Sequence, residues 1–444
     1  MLCCAEKSKS FLLLFCNIFS LLLLPVFLVY LLLRVAQNKE EIRRLGERFG
    51  FSRLYFKQKD KPIIWLHAAS IGESIALFNI VQKLLDECNY NILFTTGTVT
   101  SANLVQDYFA KPIATGVLIH QYNILDLGCS LALFFKHWNI KLAISCESEI
   151  WPFRILKLHN KAIPQIIVNA TMSEKSFSSW QNIPNIANFI FSKLNLVLCQ
   201  NNESKEKYIR LGAPRVIVTG NLKAETEPQI RNKKLFNEVK NVLQNQIFLS
   251  AISTHKGEEE IILRIYQKLK FCCKNLRLIL IPRHIDRCPI IAQKIGQYNF
   301  TYVLKTAIDK CADDAKNKDI ILGDTIGDIG FFLSLSDIAF IGKSIGDDEG
   351  GHNPIEAAMI GVPIISGYKI SNFRQIYNSL EKNNAVLMVK NEEELYNNLE
   401  NLLTNADLRE LLVQNAFKTV KNMQGAVKHS YNLLKPYLVR ISKC

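Results

Sequence analysis

The chain has no C-x-x-C pair, no zinc-finger spacing, no D-x-D near the strand ends and no run of basic residues interleaved with aromatics. Twelve cysteines are present, but adjacent pairs at Cys3-Cys4 and Cys272-Cys273 without a repeating pattern exclude a disulfide framework and a zinc site. Reduced thiols in a cytosolic body are expected instead. Lys+Arg 54 against Asp+Glu 40 gives a net charge of +14, which calls for an anionic partner. Without an RNA-binding signature or a zinc finger, nucleic acid is set aside in favour of an anionic bilayer surface or phosphorylated substrates.

What is present is a long greasy start and a long globular body. At 444 residues, 48% hydrophobic and 21% charged, the chain accommodates two domains and an appendage. Residues 11–33 are almost unbroken Leu, Phe, Val and Ile, interrupted mainly by Asn17, Ser20, Pro25 and Tyr30. As a helix this run reaches ~34 Å, enough to cross a hydrocarbon core of about 30 Å. Lys7 and Lys9 before it also suit a signal peptide, but the run is long and no small-x-small cleavage site follows. A transmembrane signal-anchor is therefore expected over 11–33, after a tail over 1–10. Arg34, Lys39, Arg43, Arg44 and Arg48 crowd its far side, so the positive-inside rule keeps the body in the cytoplasm. The same cations are expected to hold that body against anionic headgroups.

Beyond the anchor, apolar strands alternate with polar loops and amphipathic helices. Strands are expected over 62–67, 91–96, 142–145, 165–168, 196–199 and 216–219, with a helix over 73–85. A second series follows, with strands over 247–251, 276–282, 320–322, 338–341 and 362–365, and helices from about 392 to 435. Such alternation predicts doubly wound parallel sheets with ligand sites at the carboxyl ends of their strands. The expected division is an N-terminal Rossmann-like domain over 34–222, a linker over 223–234 and a C-terminal Rossmann-like domain over 235–444. Two such sheets facing a cleft make the GT-B architecture.

The second series contains Gly350-Gly351-His352-Asn353-Pro354-Ile355-Glu356. Two glycines allow close backbone approach, Asn353 suits an N-cap and Pro354 the first helical position. The helix start is then an anion site, with Glu356 placed to accept from ribose hydroxyls. The same string is also compatible with an ordinary turn between helix and strand.

Several strings taken together resemble one family, the membrane-anchored 3-deoxy-D-manno-octulosonic acid (Kdo) transferases of lipopolysaccharide synthesis, glycosyltransferase family thirty. They are Glu47 to Phe51, His67 to Glu73, Thr95 to Thr98, Glu147 to Pro152, Asn169 to Glu174, Thr219 to Lys223, Ser253 to Glu258, Pro282 to His284 and Gly350 to Glu356. All fall in the family's order and mark loops at strand ends. Departures are small: Ala69, Gly97, Thr171-Met172 and an acidic stretch over 344–349.

The resemblance implies an inverting transfer of Kdo from CMP-Kdo to a lipid A precursor, lipid IVA, at the inner membrane. It implies partners limited to donor, acceptor and membrane, without nucleic acid. A hydroxyl nucleophile must lose its proton, so a carboxylate is needed as general base. Glu73 is the candidate, with Glu147 and Glu149 to orient the acceptor or hold Glu73; a first-turn glutamate also simply favours a helix dipole. The leaving group carries one phosphate, so no metal and no cofactor are expected. The helix N-terminus, Arg283 and Lys343 would meet its charge; Arg283 either contacts phosphate or cytosine or is a surface residue at a strand end, and His284 is a further donor-binding candidate. Ser253 and Thr254 either donate to the donor or cap the following helix. His352 is either structural or bonded to phosphate. Asn353 is assigned to phosphate and Glu356 to ribose, and Asn372 either faces the donor or caps a helix. Another nucleotide-sugar transferase, a sugar-nucleotide epimerase and a non-enzymatic membrane adaptor are the competing readings.

Overall fold

A computed structural model describes residues 24–37, 39–225, 230, 232–346 and 350–442. Most of the expected anchor, the tail over 1–10, much of the linker and the acidic residues 347–349 lie outside them. The described end of the apolar run is a helix over Leu24–Ala36. Among the described residues no helix is long and apolar enough to cross a membrane.

The chain divides into two compact units, Met1–Glu225 with Gln424–Cys444, and Thr226–Met423. In the first, seven strands pair in parallel: β1 (Ile63–Ala68), β2 (Asn91–Thr96), β3 (Leu118–Tyr122), β4 (Ile140–Cys146), β5 (Gln165–Ala170), β6 (Leu196–Cys199) and β7 (Val216–Val218). Their order is β3-β2-β1-β4-β5-β6-β7. These strands are buried on both faces, as helices on either side of a parallel sheet require. One face carries Ile64, Leu66, Ile92, Phe94 and Ile144; the other carries Trp65, Leu93, Ile119 and Ala143.

Strand β3 is not among the expected strands because its centre is polar. His120 and Gln121 are buried; His120 Nε2 lies 2.9 Å from Thr96 Oγ1 and the Trp138 indole donates to Gln121 Oε1 at 2.9 Å, while Gln121 Nε2 has no partner among the described residues. Buried polar side chains with partners cost little, but they erase the apolar run that identifies a strand.

The second unit repeats the plan with β8 (Ile247–Thr254), β9 (Leu276–Pro282), β10 (Tyr302–Leu304), β11 (Ile320–Leu322), β12 (Ile338–Ile341), β13 (Ile364–Gly367) and β14 (Leu387–Val389). The order is β10-β11-β9-β8-β12-β13-β14, again all parallel. The unexpected β10 and β14 have three residues each.

Two expectations are corrected. The sequence places residues 424–444 with the second domain, whereas the final helix Ala426–Ser442 packs into the first. Val427, Tyr431, Leu434, Leu438 and Ile441 join the same apolar cluster as Ile64 and Leu66, which only tertiary packing could reveal. The cations after the anchor are also largely committed within the protein. Arg48 is buried and donates to both oxygens of buried Glu40, and Arg34 pairs with Glu40 as well. Arg44 forms a two-pronged pair with Glu47 and lies over the Tyr122 ring. Lys39 and Arg43 alone of the five remain exposed. A headgroup role for all five therefore fails, because carboxylates at 40, 41 and 47 already pair with Arg34, Arg44 and Arg48.

Candidate active site

In both sheets the strand order reverses beside the first strand: between β1 and β4 in one, between β8 and β12 in the other. A crevice opens outside the strand ends at such a reversal. The expected catalytic and donor residues leave from these four strands or from loops near them.

In the first unit, Ser70 caps the helix Ile71–Asp86, its hydroxyl accepting from the Glu73 N–H. The Glu73 carboxylate turns back to accept from the Ala69 N–H at 2.8 Å and from the Ser70 hydroxyl at 3.0 Å. This is a capping-box arrangement. Its carboxyl is nevertheless pushed up to about 7, first by burial and then by the negative charges of Glu147 and Glu149, against those two hydrogen bonds.

Glu147 follows β4 with φ +57 and meets Lys223 Nζ at 2.6 Å. Asn169, φ +52 in β5, donates to Glu147 Oε1 at 3.3 Å while its own oxygen accepts from the Leu222 N–H at 2.9 Å. Burial disfavours the Lys223 charge, yet Glu147 outweighs it and holds the ammonium above its usual range. Glu149 is held by two rings: Trp151 Nε1 donates to its Oε2 at 2.6 Å, and His67 Nε2 lies 3.0 Å from the same atom. Burial and the nearby Arg154 push the His67 pKa down. Its Nδ1 lies 3.0 Å from Thr95 Oγ1, which accepts from Trp65 Nε1 at 2.9 Å, and 3.1 Å from the Thr95 carbonyl. Although burial opposes its charge, Glu149 titrates below the usual range because His67, Trp151 and Arg154 favour the carboxylate.

In the second unit, Glu258 opens the helix Glu258–Cys272 and is buried. Its carboxylate accepts four backbone N–H groups: His255 and Lys343 on Oε2 at 2.9 and 2.7 Å, Ser344 and Ile345 on Oε1 at 2.8 and 3.2 Å. The loops after β8 and β12 are thereby tied together. Each contains a residue in left-handed conformation, Ser253 at φ +57 and Lys343 at φ +59. Such strain concentrates at functional sites. Beside these loops stand His255 and His352, their Nε2 atoms 3.2 Å apart, with the exposed His284 ring 5.9 Å from His255. Burial, then Arg283, His255, Lys343 and His284, push His352 down to about 3. An anion bound there would meet concentrated positive charge.

Residues 43–226 match the profile of the 3-deoxy-D-manno-octulosonic-acid transferase (kdotransferase) family. A 3-deoxy-D-manno-octulosonic acid transferase of Haemophilus influenzae is 33% identical over 433 residues, covering 95% of this chain and 98% of that one. Its counterpart in Rickettsia bellii is also 33% identical, covering 96% and 97%. The chain belongs to this family. It is a glycosyltransferase that moves Kdo. In fold it is similar to a UDP-N-acetylglucosamine 2-epimerase (TM-score 0.58, 14% identity, 86% of this chain and 97% of that one) and to Anabaena HepE solved with UDP and glucose (TM-score 0.57, 13% identity, 84% and 99%). The paired α/β units are thus those of GT-B proteins.

Within the Kdo transferase, Glu73, Glu147 and Glu149 come together at one reversal point, close enough for their charges to act on one another. Ser253 and Thr254 end β8, although Thr254 is buried and spends its hydroxyl on Glu259 Oε1 at 3.0 Å. Arg283 and His284 follow β9 with exposed side chains. Gly350 and Gly351 have φ +141 and +68, and a Cβ at Gly350 would lie 2.6 Å from Asn372 Nδ2. Asn372 donates its backbone N–H to the Gly350 carbonyl at 2.9 Å. Asn353 is not the N-cap: Pro354 holds that position, already in helical conformation, and Asn353 Oδ1 accepts from the Ile355 N–H at 3.2 Å. The Ile355–Ile360 helix has six residues, with Glu356 half-buried in its first turn.

Sequence reasoning assigns no role to Glu258, Lys223, Asn169, His67 or Arg154. All but Arg154 sit in the strings that carry the resemblance, yet the partners that define them come from distant parts of the chain, and spacing alone shows no such pairing.

Proposed function

We propose that this Kdo transferase uses CMP-Kdo as donor and lipid IVA as acceptor in lipopolysaccharide synthesis, with inversion and with Glu73 as general base. The observation that carries the reading is Glu73 itself: a carboxyl raised to about 7, at the strand-order reversal of the first unit, in a chain of this family. A base of that affinity is about half ionised at neutral pH and still strong enough to take a proton from a sugar hydroxyl. The acceptor oxygen forms the bond to the anomeric carbon, its proton passes to Glu73, and the bond to the phosphate oxygen breaks with both electrons leaving on CMP.

Donor binding is assigned to the second unit. Gly350, Gly351 and Asn353 would approach the phosphate, Arg283, His284 and Lys343 would meet its charge, and His352, a neutral ring, would hydrogen-bond to it. Ser253 and Asn372 would border the sugar, and Glu356 the ribose. With cations in that role the reaction is read as metal-free, and activity should survive exhaustive EDTA treatment. Glu147, already neutralised by Lys223, and Glu149, held by two rings, are read as orienting groups and not as alternative bases.

Placement at the inner membrane, catalytic units cytoplasmic, is favoured by the apolar helix Leu24–Ala36, where Val26, Val29, Tyr30 and Leu33 are each more than half exposed. The deciding experiment is product mass after incubating membranes containing the enzyme with a CMP-Kdo generating system and lipid IVA. A gain of one or more Kdo units, abolished in Glu73→Gln, is expected. No gain with a correctly inserted enzyme would overturn the substrates, and a gain retained in the variant would overturn the base.

A further inference from the structure

Arg154 lies in the first turns of the helix Pro152–Asn160 and is 3% exposed, an unusual position for a guanidinium. It is packed between two indoles, its Cζ 4.9 Å from the Trp65 ring and 5.6 Å from that of Trp151. Its Nη2 donates to Asn123 Oδ1 at 2.9 Å. Asp126, one of the two carboxylates whose charge acts on it, spends its oxygens on the Phe153 and Arg154 backbone N–H groups at 3.0 and 2.7 Å. The remaining atoms, Nε and Nη1, have no hydrogen-bond partner among the described residues.

A buried donor without a partner is costly, more so when charged, so two on one side chain demand an explanation. The structure offers one. A cavity of about 10 Å³ is lined by Arg154, Glu149 and Ser145, with apolar walls from Ile155, Leu158 and Ile167. That is room for one water centre, and a water needs two to four polar partners, which this lining supplies.

We propose that Arg154 is a positioning residue for Kdo transfer: through one water held against Glu149 and Ser145, it fixes the carboxylate group beside Glu73. The proposal rests on the reading of Glu73 as base. Trp151 and His67 occupy one oxygen of Glu149, and the bridged water completes its surroundings, leaving the carboxylate a single orientation. The charge matters as well as the geometry. Arg154 faces Asp126, Glu149 and His67; Glu73 faces Glu147 and Glu149, with Lys223 behind Glu147. Arg154 is the cation on the Glu149 side of this group, as Lys223 is on the Glu147 side. Without it Glu149 stays ionised at neutral pH through its two ring donors, so the field on Glu73 becomes more negative and its proton is held more tightly.

The test is a pH series of kcat/KM for full-length Arg154→Met and Arg154→Lys in membranes, with thermal unfolding to confirm folding. Arg154→Met should lower kcat at least tenfold, leave the KM for CMP-Kdo within twofold, and move the acidic limb of the profile upward by half a pH unit or more. Arg154→Lys, which keeps the charge, should return the limb to its native position with partial recovery of kcat. Folded variants with the native limb and native kcat would overturn the proposal, and so would equal displacement of the limb in both. Loss of activity in Glu73→Gln alongside a native Arg154→Met leaves the base in place and removes only Arg154; activity retained in Glu73→Gln removes the base reading instead.

Discussion

Glu73, the proposed general base, also completes the cap of its own helix. Its two acceptor bonds to Ala69 and Ser70 favour the carboxylate, but burial and the charges of Glu147 and Glu149 win, and the proton is held up to about 7. Activity should therefore fall as pH drops through about 7, as the base protonates. Stability runs the other way. A carboxyl whose folded pKa lies above its unfolded value loses stability as pH rises from the unfolded pKa to the folded one. A tenfold change in proton affinity corresponds to about 1.4 kcal/mol, so with partial exposure Glu73 lowers stability by about 1–3 kcal/mol at pH 8. Glu73→Gln keeps an oxygen for the Ala69 N–H and removes the charge. It should abolish turnover yet unfold at a higher temperature than the native enzyme at pH 8, with the difference gone near pH 4.5, as calorimetry across that range would show. Ser70 and Glu73 at cap spacing make the local half of this visible in the sequence; the neighbours that raise the pKa come from β4, more than seventy residues on.

At the scale of elements, the loops proposed to hold the donor depend on a carboxylate that need not touch it. Glu258 Oε2 faces the His255 and Lys343 N–H groups and Oε1 those of Ser344 and Ile345. An amide in its place must aim an NH₂ at one of these pairs, whichever way it turns. Orphaning buried donors costs about 1–3 kcal/mol each. Glu258→Gln should lower the unfolding midpoint and raise the KM for CMP-Kdo about tenfold while leaving the KM for the proposed lipid acceptor unchanged, measurable by steady-state kinetics with each substrate varied in turn. An unchanged donor KM would show that the two loops hold their shape without this tie. The glycine pair was legible because a Cβ at Gly350 collides with Asn372 and no other residue adopts φ +141 readily. The cap was misplaced by one residue because Asn353 bonds the N–H two positions on, as an asparagine in a turn does, and not as an N-cap.

On the scale of the molecule, the last helix returns to the first unit after some two hundred residues of the second. Glu225 secures that return by accepting from the Gly425 and Val427 N–H groups at 2.9 and 2.7 Å. Leu434 is wholly buried in the core built on β1, β2 and β4. Leu434→Ala should cost about 2–5 kcal/mol, read as loss of the first unit's unfolding midpoint although the substitution lies ten residues from the chain's end. A midpoint within one degree of native would mean that the helix is not part of that core.

Local rules settle what neighbours along the chain can decide. Apolar runs too long for a half-exposed strand, cap residues at fixed spacing and glycines before short helices placed most strands, both doubly wound units and nearly all the loops at strand ends. Partners set by folding decided the rest. Whether Arg48 is free for a headgroup or closed on Glu40, whether residues 426–442 belong to the first unit or the second, and which of three glutamates holds its proton near neutrality depend on side chains brought together from distant positions. Charge and burial act through space, and only the folded chain supplies those distances.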